Sequence, residues 1–205
     1  MQAFIFSSRG DIEAACVVAG HIQRLGQSAV VMIDEEDEEA GRRAVDRHPG
    51  VTVKTTMFPR TPRLVGARCT AGIFASIDRE AEDAVIAKLD ADMVLSWRAI
   101  EWLAGASETG RTIRLGNGCS GAWAMPRKAV EKARWAMDRQ RCSGCPEAVL
   151  SAMAIREACG LEISEQAFTV WRIPRWVPTA AFAVTIPSGM TSSDRLASVR
   201  AACVY

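Results

Sequence analysis

The chain alternates short apolar runs with longer stretches in which apolar residues recur every three or four positions. Residues 2–7 open it as a buried strand. Ser8-Arg9-Gly10-Asp11 is a tight connection, with Asp11 placed to cap a helix. Over residues 12–25, Ile12, Ala15, Cys16, Val18, Ala19, Ile22 and Leu25 fall at helical spacing, and Gly26 closes that helix. Residues 28–33 form a second apolar strand that ends at Asp34. The acidic run Asp34-Glu35-Glu36-Asp37-Glu38-Glu39 follows; beyond Asp34 it reads as a solvated helix start, where the helix dipole favours acid. A helix over 37–46, the Pro49-Gly50 turn and a strand over 51–55 come next. This β-α-β-α-β order predicts a parallel sheet with helices on its faces.

The pattern continues with a basic loop from Pro59 to Pro62, a helix over 66–80 and a strand over 84–89. Ser96 caps a helix to about Leu103, and residues 111–115 form another strand. A glycine-rich loop at 116–121 leads through Ala122-Trp123-Ala124-Met125 to a helix from Pro126. Pro146 starts a further helix that runs to Cys159, closed by Gly160. A last strand region spans about 161–171, and one short amphipathic helix spans about 192–202. The division expected is a domain over 1–186 and a C-terminal tail, 187–205, carrying the short helix. That helix packs back on the domain or mediates a homo-oligomer, and the pattern alone does not choose.

At 205 residues the chain can bury one sizeable α/β core. A net charge of +1 gives no strong field for nucleic acid or anionic membrane. No apolar stretch reaches the ~20 residues of a membrane span, and the first residues lack the basic start and cleavage site of a signal peptide. Seven scattered cysteines without a framework spacing suggest a reducing compartment, hence the cytoplasm, with mostly buried thiols. Cys142-Ser143-Gly144-Cys145 is a lone C-x-x-C without two further ligands, so a loop with free thiols is favoured over zinc.

The chemistry concentrates where the strand over 84–89 ends in Asp90-Ala91-Asp92 before turning apolar again. A carboxylate at the end of a core strand needs a partner or a cation. The ordinary alternative is a polar loop with both groups in water. In an extended chain positions i and i+2 point to one side, so Asp90 and Asp92 would converge on one hard cation. Mg²⁺ or Mn²⁺, with phosphate oxygens completing the shell, is the match.

Four blocks resemble the GT-A fold of nucleotide-sugar-dependent glycosyltransferases, in particular the large family of small inverting enzymes (glycosyltransferase family 2-like). Ile33-Asp34-Glu35 is similar to the family's second strand, whose terminal aspartate contacts the base. Gly66-Ala67-Arg68-Cys69-Thr70-Ala71-Gly72-Ile73 resembles its G-x-A-R-N-x-G-I helix, with Cys69 in place of Asn. Leu89-Asp90-Ala91-Asp92 resembles its L-D-A-D metal motif, and Glu147 through Gly160 its acceptor-side helix, with Arg156 at an internal basic position. Position 148 is Ala where the family carries its basic Asp, and the first strand ends Ser7-Ser8-Arg9 where the family has Pro-x-Tyr/Phe-Asn. The resemblance implies an α/β, Rossmann-like three-layer α/β/α domain with a mostly parallel central sheet. It implies a metal-dependent transferase that takes a UDP- or GDP-sugar donor and a hydroxyl acceptor.

Parallel α/β sheets bind ligands at the carboxyl ends of their strands. On this reading Ser7, Ser8, Arg9 and Asp34 hold base and ribose, and Asp90 and Asp92 hold metal and diphosphate. Arg68 and Lys88 reach for phosphate or sugar; an exposed helix arginine and a lysine that buries only its stem are the plain alternatives. Gly121 and Trp123 line the sugar and acceptor pocket, against a tight turn with a core tryptophan. Glu147 is the candidate general base, although acid at a helix start is favoured without any function. Two other readings stand beside the transferase: a sugar-phosphate nucleotidyltransferase, and a non-catalytic sugar-nucleotide-binding module. The first suits the sheet but lacks a glycine-rich basic loop after the first strand.

Overall fold

The computed structural model describes residues 1–7, 9–56, 84–110, 112–115, 122–129, 161–164, 167–169, 183–186 and 190–203. The strands are β1 (Gln2–Phe6), β2 (Ser28–Asp34), β3 (Thr52–Thr56), β4 (Val85–Asp90), β5 (Met93–Leu95), β6 (Thr112–Leu115), β7 (Trp123–Pro126), β8 (Leu161–Ser164), β9 (Ala167–Thr169) and β10 (Ala183–Thr185). The α-helices are α1 (Ile12–Arg24), α2 (Glu38–Arg47), α3 (Trp97–Ala104), α4 (Ala106–Thr109) and α5 (Ser192–Ala202). Short 3₁₀ turns lie at Arg9–Asp11, Glu35–Asp37 and Arg127–Ala129.

Seven strands form the main sheet in the order β3-β2-β1-β4-β7-β6-β8. β7 runs antiparallel to both of its neighbours, and every other pair is parallel. The mostly parallel α/β sheet expected from the sequence is therefore present. Its central strands are apolar on both faces, as a sheet covered on both sides requires. Ala3, Ile5, Val31, Ile33, Ala87 and Leu89 belong to the core that α1 joins with Ile12, Ala15, Cys16, Ala19 and Ile22. Phe4, Val30, Met32, Ile86, Trp123 and Met125 make a second cluster on the other face.

Local sequence explains the joins. Helix α1 ends where Gly26 takes a φ of +79°, with Gly26 N–H donating to Gln23 O at 3.0 Å and Gln27 N–H to Ile22 O at 3.2 Å. These two bonds satisfy carbonyls that the helix leaves open, and glycine takes the left-handed backbone without a Cβ clash. Helix α2 lies so close to the sheet that a Cβ on Gly41 would collide with Ile33 Cδ1. Ser96 caps α3 as expected, its Oγ accepting from Ala99 N–H at 3.3 Å. Asp11 occupies the cap position of α1 but makes no side-chain cap bond; its carboxylate pairs with Arg195 of α5 instead.

Four elements differ from the sequence pattern. Met93–Leu95 is a strand, and it belongs to a second, three-stranded sheet in the order β5-β10-β9. Residues 123–126 form the antiparallel strand β7 rather than the approach to a helix, and a 3₁₀ turn follows it. Pro126 ends that strand because it has no N–H to donate; the next residue supplies the bond, Arg127 N–H to Ala84 O at 2.8 Å. The region 161–171 splits into β8 and β9, which pair in different sheets. Asp37, read as part of a solvated acidic run, is 1% exposed. The helices expected over 66–80 and 146–159 lie outside the described residues.

Helix α5 packs back on α1. Val199, Ala202 and Cys203 enter the main core, and Arg24 Nη2 donates to Cys203 O at 3.4 Å. Its buried side also carries Ser198, and Arg195 is 12% exposed, so the inward face is mixed rather than apolar. Thr191 caps the helix, its Oγ1 accepting from Asp194 N–H at 3.2 Å.

Candidate functional site

The strand order places the site. From β1 the sheet grows through β2 to β3 in one direction, and β4 then lies on the other side of β1. The carboxyl ends of β1, β2 and β4 meet at that reversal, the place where parallel α/β sheets bind ligands. Four polar residues stand at these carboxyl ends: Ser7 after β1, Asp34 on β2, Thr56 on β3 and Asp90 on β4.

Register sets which way they face. Phe6 lies opposite Met32 on one side and Asp90 on the other, and Asp34 lies opposite Thr56. Since side chains alternate along a strand, Asp34, Thr56, Lys88, Asp90 and Trp123 share the face of Phe4 and Met32, the one turned away from α1. Ser7 is buried, and its N–H extends the β1–β2 pairing to Met32 O at 3.0 Å. Asp34 and Asp37 are buried as well. Asp34 leads into the 3₁₀ turn Glu35–Asp37, which Asp37 ends. Thr56 is 2% exposed, and its Oγ1 has no hydrogen-bond partner among the described residues. Sequence reading missed Asp37 and Thr56. The three-residue spacing from Asp34 was a signal for the first; for the second there was none, since Thr is ordinary in a strand.

Lys88 lies between Phe4 and Trp123 in the sheet, and its Nζ donates to Asp90 Oδ1. The expected alternation therefore holds, and the lysine runs along its own strand to the carboxylate two residues on. Trp123 is itself a member of the apolar cluster on that face. Asp90 is the last strand residue, and Ala91-Asp92 make a turn. The extended geometry assumed for an i, i+2 pair is thus interrupted after Asp90. The two carboxylates still act on each other. Asp92 is held up at a pKa of about 6, first by burial and then by the charge of Asp90, while Arg195 works in the opposite direction. Its backbone is fixed from the second sheet, where Ile186 N–H donates to Asp92 O at 2.9 Å.

A partly buried carboxylate beside a like charge is relieved by a cation; Lys88 already serves Asp90 in this way, and carboxylate oxygens also suit a hard divalent ion. The described residues contain no group of three or more His, Cys, Asp or Glu able to hold a metal. Asp90 and Asp92 therefore fit Mg²⁺ or Mn²⁺ only as a partial shell, which phosphate or water oxygens would complete. Of the other site residues expected from the sequence, Arg9 begins the 3₁₀ turn after β1, while Ser8, Arg68, Gly121 and Glu147 lie outside the described residues.

Other ionisable groups have structural partners. His21 is buried, its pKa lowered chiefly by burial, and its Nε2 bonds Leu95 O at 2.8 Å, tying α1 to β5. Cys16 and Cys203 are free and buried, and burial pushes both thiols up to about 12. Neither is a thiolate nucleophile. Among the described residues no helix is long and apolar enough to cross a membrane.

No protein-family model and no curated protein matches the sequence. Solved structures do match in shape. The 4-diphosphocytidyl-2C-methyl-D-erythritol synthase from Anaerococcus prevotii DSM 20548 superposes with a TM-score of 0.60 at 8% identity, over 100% of this chain and 98% of that one. The galactosyltransferase LgtC, solved with donor and acceptor sugar analogues, superposes with a TM-score of 0.58 at 8% identity, over 97% and 95%. The bifunctional glycosyltransferase WbbM gives 0.59 at 9% identity, over 97% of this chain and 49% of that one. At such identity the likeness speaks for architecture, and it agrees with the mostly parallel sheet: the chain has the GT-A-like fold of nucleotide-diphospho-sugar transferases.

Proposed function

We propose that this chain transfers a sugar from a nucleoside-diphosphate sugar to a hydroxyl acceptor with the help of Mn²⁺ or Mg²⁺. The observation that carries the reading is Asp92, whose proton is held by burial and by the charge of Asp90, at the carboxyl end of β4 beside the point where the strand order reverses. A partly buried carboxylate beside a like charge is costly, and such costs concentrate at functional sites. The fold shared with a galactosyltransferase supports the same reading.

In this reading base and ribose lie over the ends of β1 and β2, against Ser7, Ser8, Arg9 and Asp34. Asp90 and Asp92 hold the divalent cation against the diphosphate, where it would supply Lewis-acid stabilisation of the leaving charge. Lys88 adds a fixed positive charge beside Asp90, and Arg68 is the further phosphate contact. Gly121 and Trp123 stand on the sugar side. The acceptor hydroxyl attacks C1 as Glu147 takes its proton. The bond from C1 to the phosphate oxygen breaks, and the nucleoside diphosphate leaves with the electron pair.

Incubation with a panel of UDP- and GDP-sugars and Mn²⁺ tests this. Slow release of UDP or GDP is expected. A second reading, nucleotidyl transfer, is supported by the likeness to a synthase whose name specifies a diphosphocytidyl product. Pyrophosphate-dependent exchange would select it, and neither activity would leave a non-catalytic binding module. Binding gives an independent check on the nucleoside end. Asp34→Ala should cost about 1–3 kcal/mol of nucleotide affinity, the usual loss for one charged hydrogen-bond partner. Calorimetry that finds no change would move the nucleoside away from β2.

A further inference from the structure

Strand β3 lies at the edge of the main sheet, and its polar residues mostly meet water. Thr52 and Lys54 share a face with Thr56, and both are exposed. Thr56, at the carboxyl end, is 2% exposed, and its Oγ1 has no hydrogen-bond partner among the described residues. A hydroxyl kept from water without a partner is costly, and valine would suit the strand without that cost. Buried polar groups are otherwise paired, so this hydroxyl asks for a ligand atom. Asp34 shows where such a ligand would sit. It is the register partner of Thr56 on β2, and it is likewise 2% exposed. Neighbouring strands lie about 4.8 Å apart, so a carboxylate and a hydroxyl stand side by side on one face. The carboxylate accepts a hydrogen bond and the hydroxyl can donate one. Together they match an N–H beside an acceptor on one flat edge, which is the hydrogen-bonding edge of a nucleobase.

We propose that Thr56 is a specificity-determining residue for the base: its hydroxyl donates to a ring acceptor beside the N–H that Asp34 accepts. This rests on the reading given above, in which Asp34 meets the nucleoside while Asp90 and Asp92 face the diphosphate. The strand order agrees with it. From Asp90 on β4 through β1 and β2 to Thr56 on β3 there are three strand spacings, about 14 Å in all. A diphosphate held at one end of that row leaves the base at the other, over β2 and β3. A contact to ribose or phosphate is the same for every nucleotide. A contact to the base edge depends on where donor and acceptor stand along it, so Thr56 must act on the preference among bases.

The test uses the full chain with Mn²⁺, and UDP, GDP, CDP and ADP as probes in calorimetry. The wild-type protein should bind one of them about tenfold or more tighter than the weakest. Thr56→Val keeps the shape of the side chain and removes the hydroxyl. It should weaken the preferred nucleotide by about tenfold and the weakest by less than about twofold. Thr56→Ser keeps the hydroxyl and should hold the wild-type preference to within about threefold. Thr56→Ala should repeat the loss of preference, and it carries the test where the valine variant does not fold. Losses of one common factor for all the nucleotides, an unchanged preference, or no preference in the wild-type protein would overturn the assignment and leave the proposed function standing. A wild-type protein that binds none of the probes would instead remove the proposed function, and this inference with it.

Discussion

Asp92→Asn will stabilise the protein at neutral pH when metal is chelated, and will weaken its binding of a nucleoside diphosphate with Mn²⁺. The stability half follows from a raised pKa. Asp92 titrates at about 6 in the folded chain against an ordinary 3.8, because burial and the Asp90 charge disfavour its ionised form. The folded state therefore holds the proton more tightly than the unfolded state. That contribution to stability is complete below the unfolded value and is lost as pH rises through the folded one, between about pH 4 and pH 6. Above that window the charged group costs about 1–3 kcal/mol. Asn removes the charge and should raise the midpoint of thermal unfolding by several degrees near pH 7.5 in EDTA. Near pH 3.5 the two proteins should melt together. The functional half runs the other way, since the cation loses one of two carboxylates. Equal melting curves at both pH values would show that Asp92 is solvated and that the motif is an ordinary loop.

Glu147→Gln should leave nucleotide and metal binding intact while sugar transfer falls by about 10²–10⁴-fold. The reason is the division of labour along the crevice. In the proposed reading the groups on β1, β2 and β4 address the donor, whereas a base must address the acceptor hydroxyl. Gln keeps the size and polarity of Glu and removes only the capacity to take a proton. Single-turnover transfer, with UDP or GDP binding measured beside it, separates the two effects. A variant that transfers at the wild-type rate would reduce Glu147 to a helix-start acid and would favour a retaining reaction, in which no such base is required.

The half of the fold that the sequence displayed best is the half built from local pattern. β1, α1, β2, α2, β3 and β4 each combine a clear apolar pattern with a punctuating residue such as Gly26 or Gly50, and that pattern reports burial directly. β5, β7 and the split of 161–171 into β8 and β9 were harder to see. Three- and four-residue strands are too short to show a period, and they exist here because a partner distant in sequence pairs with them. The same distinction runs through the site. Asp34 and Asp90 were legible because each interrupts an apolar run at its end. Asp37 hid among Glu35, Glu36, Glu38 and Glu39, all of which are exposed. The convergence of Asp90 and Asp92 was argued from an extended backbone, but the chain bends after Asp90, and what remains between them is electrostatic. Asp11 had the position of a cap and the sequence of a cap, yet an arginine 184 residues away holds its carboxylate. No local rule contains that partner.

That last contact also sets an order of events during synthesis. A ribosome delivers β1, the turn at Arg9–Asp11 and α1 long before Ser192 and Arg195; Arg195 follows Asp11 by 184 residues. Until then Asp11 lacks its arginine and one flank of α1 is uncovered. The turn nearest the proposed nucleoside site must wait through 184 further residues of synthesis before it can settle. Contacts of such long sequence separation are closed late and slowly, because loop-closure entropy comes due before any contact repays it. The nascent chain will therefore hold a formed parallel sheet core before it can order the turn after β1, and a chain stalled short of Ser192 should be folded in part, with Asp11 still without Arg195.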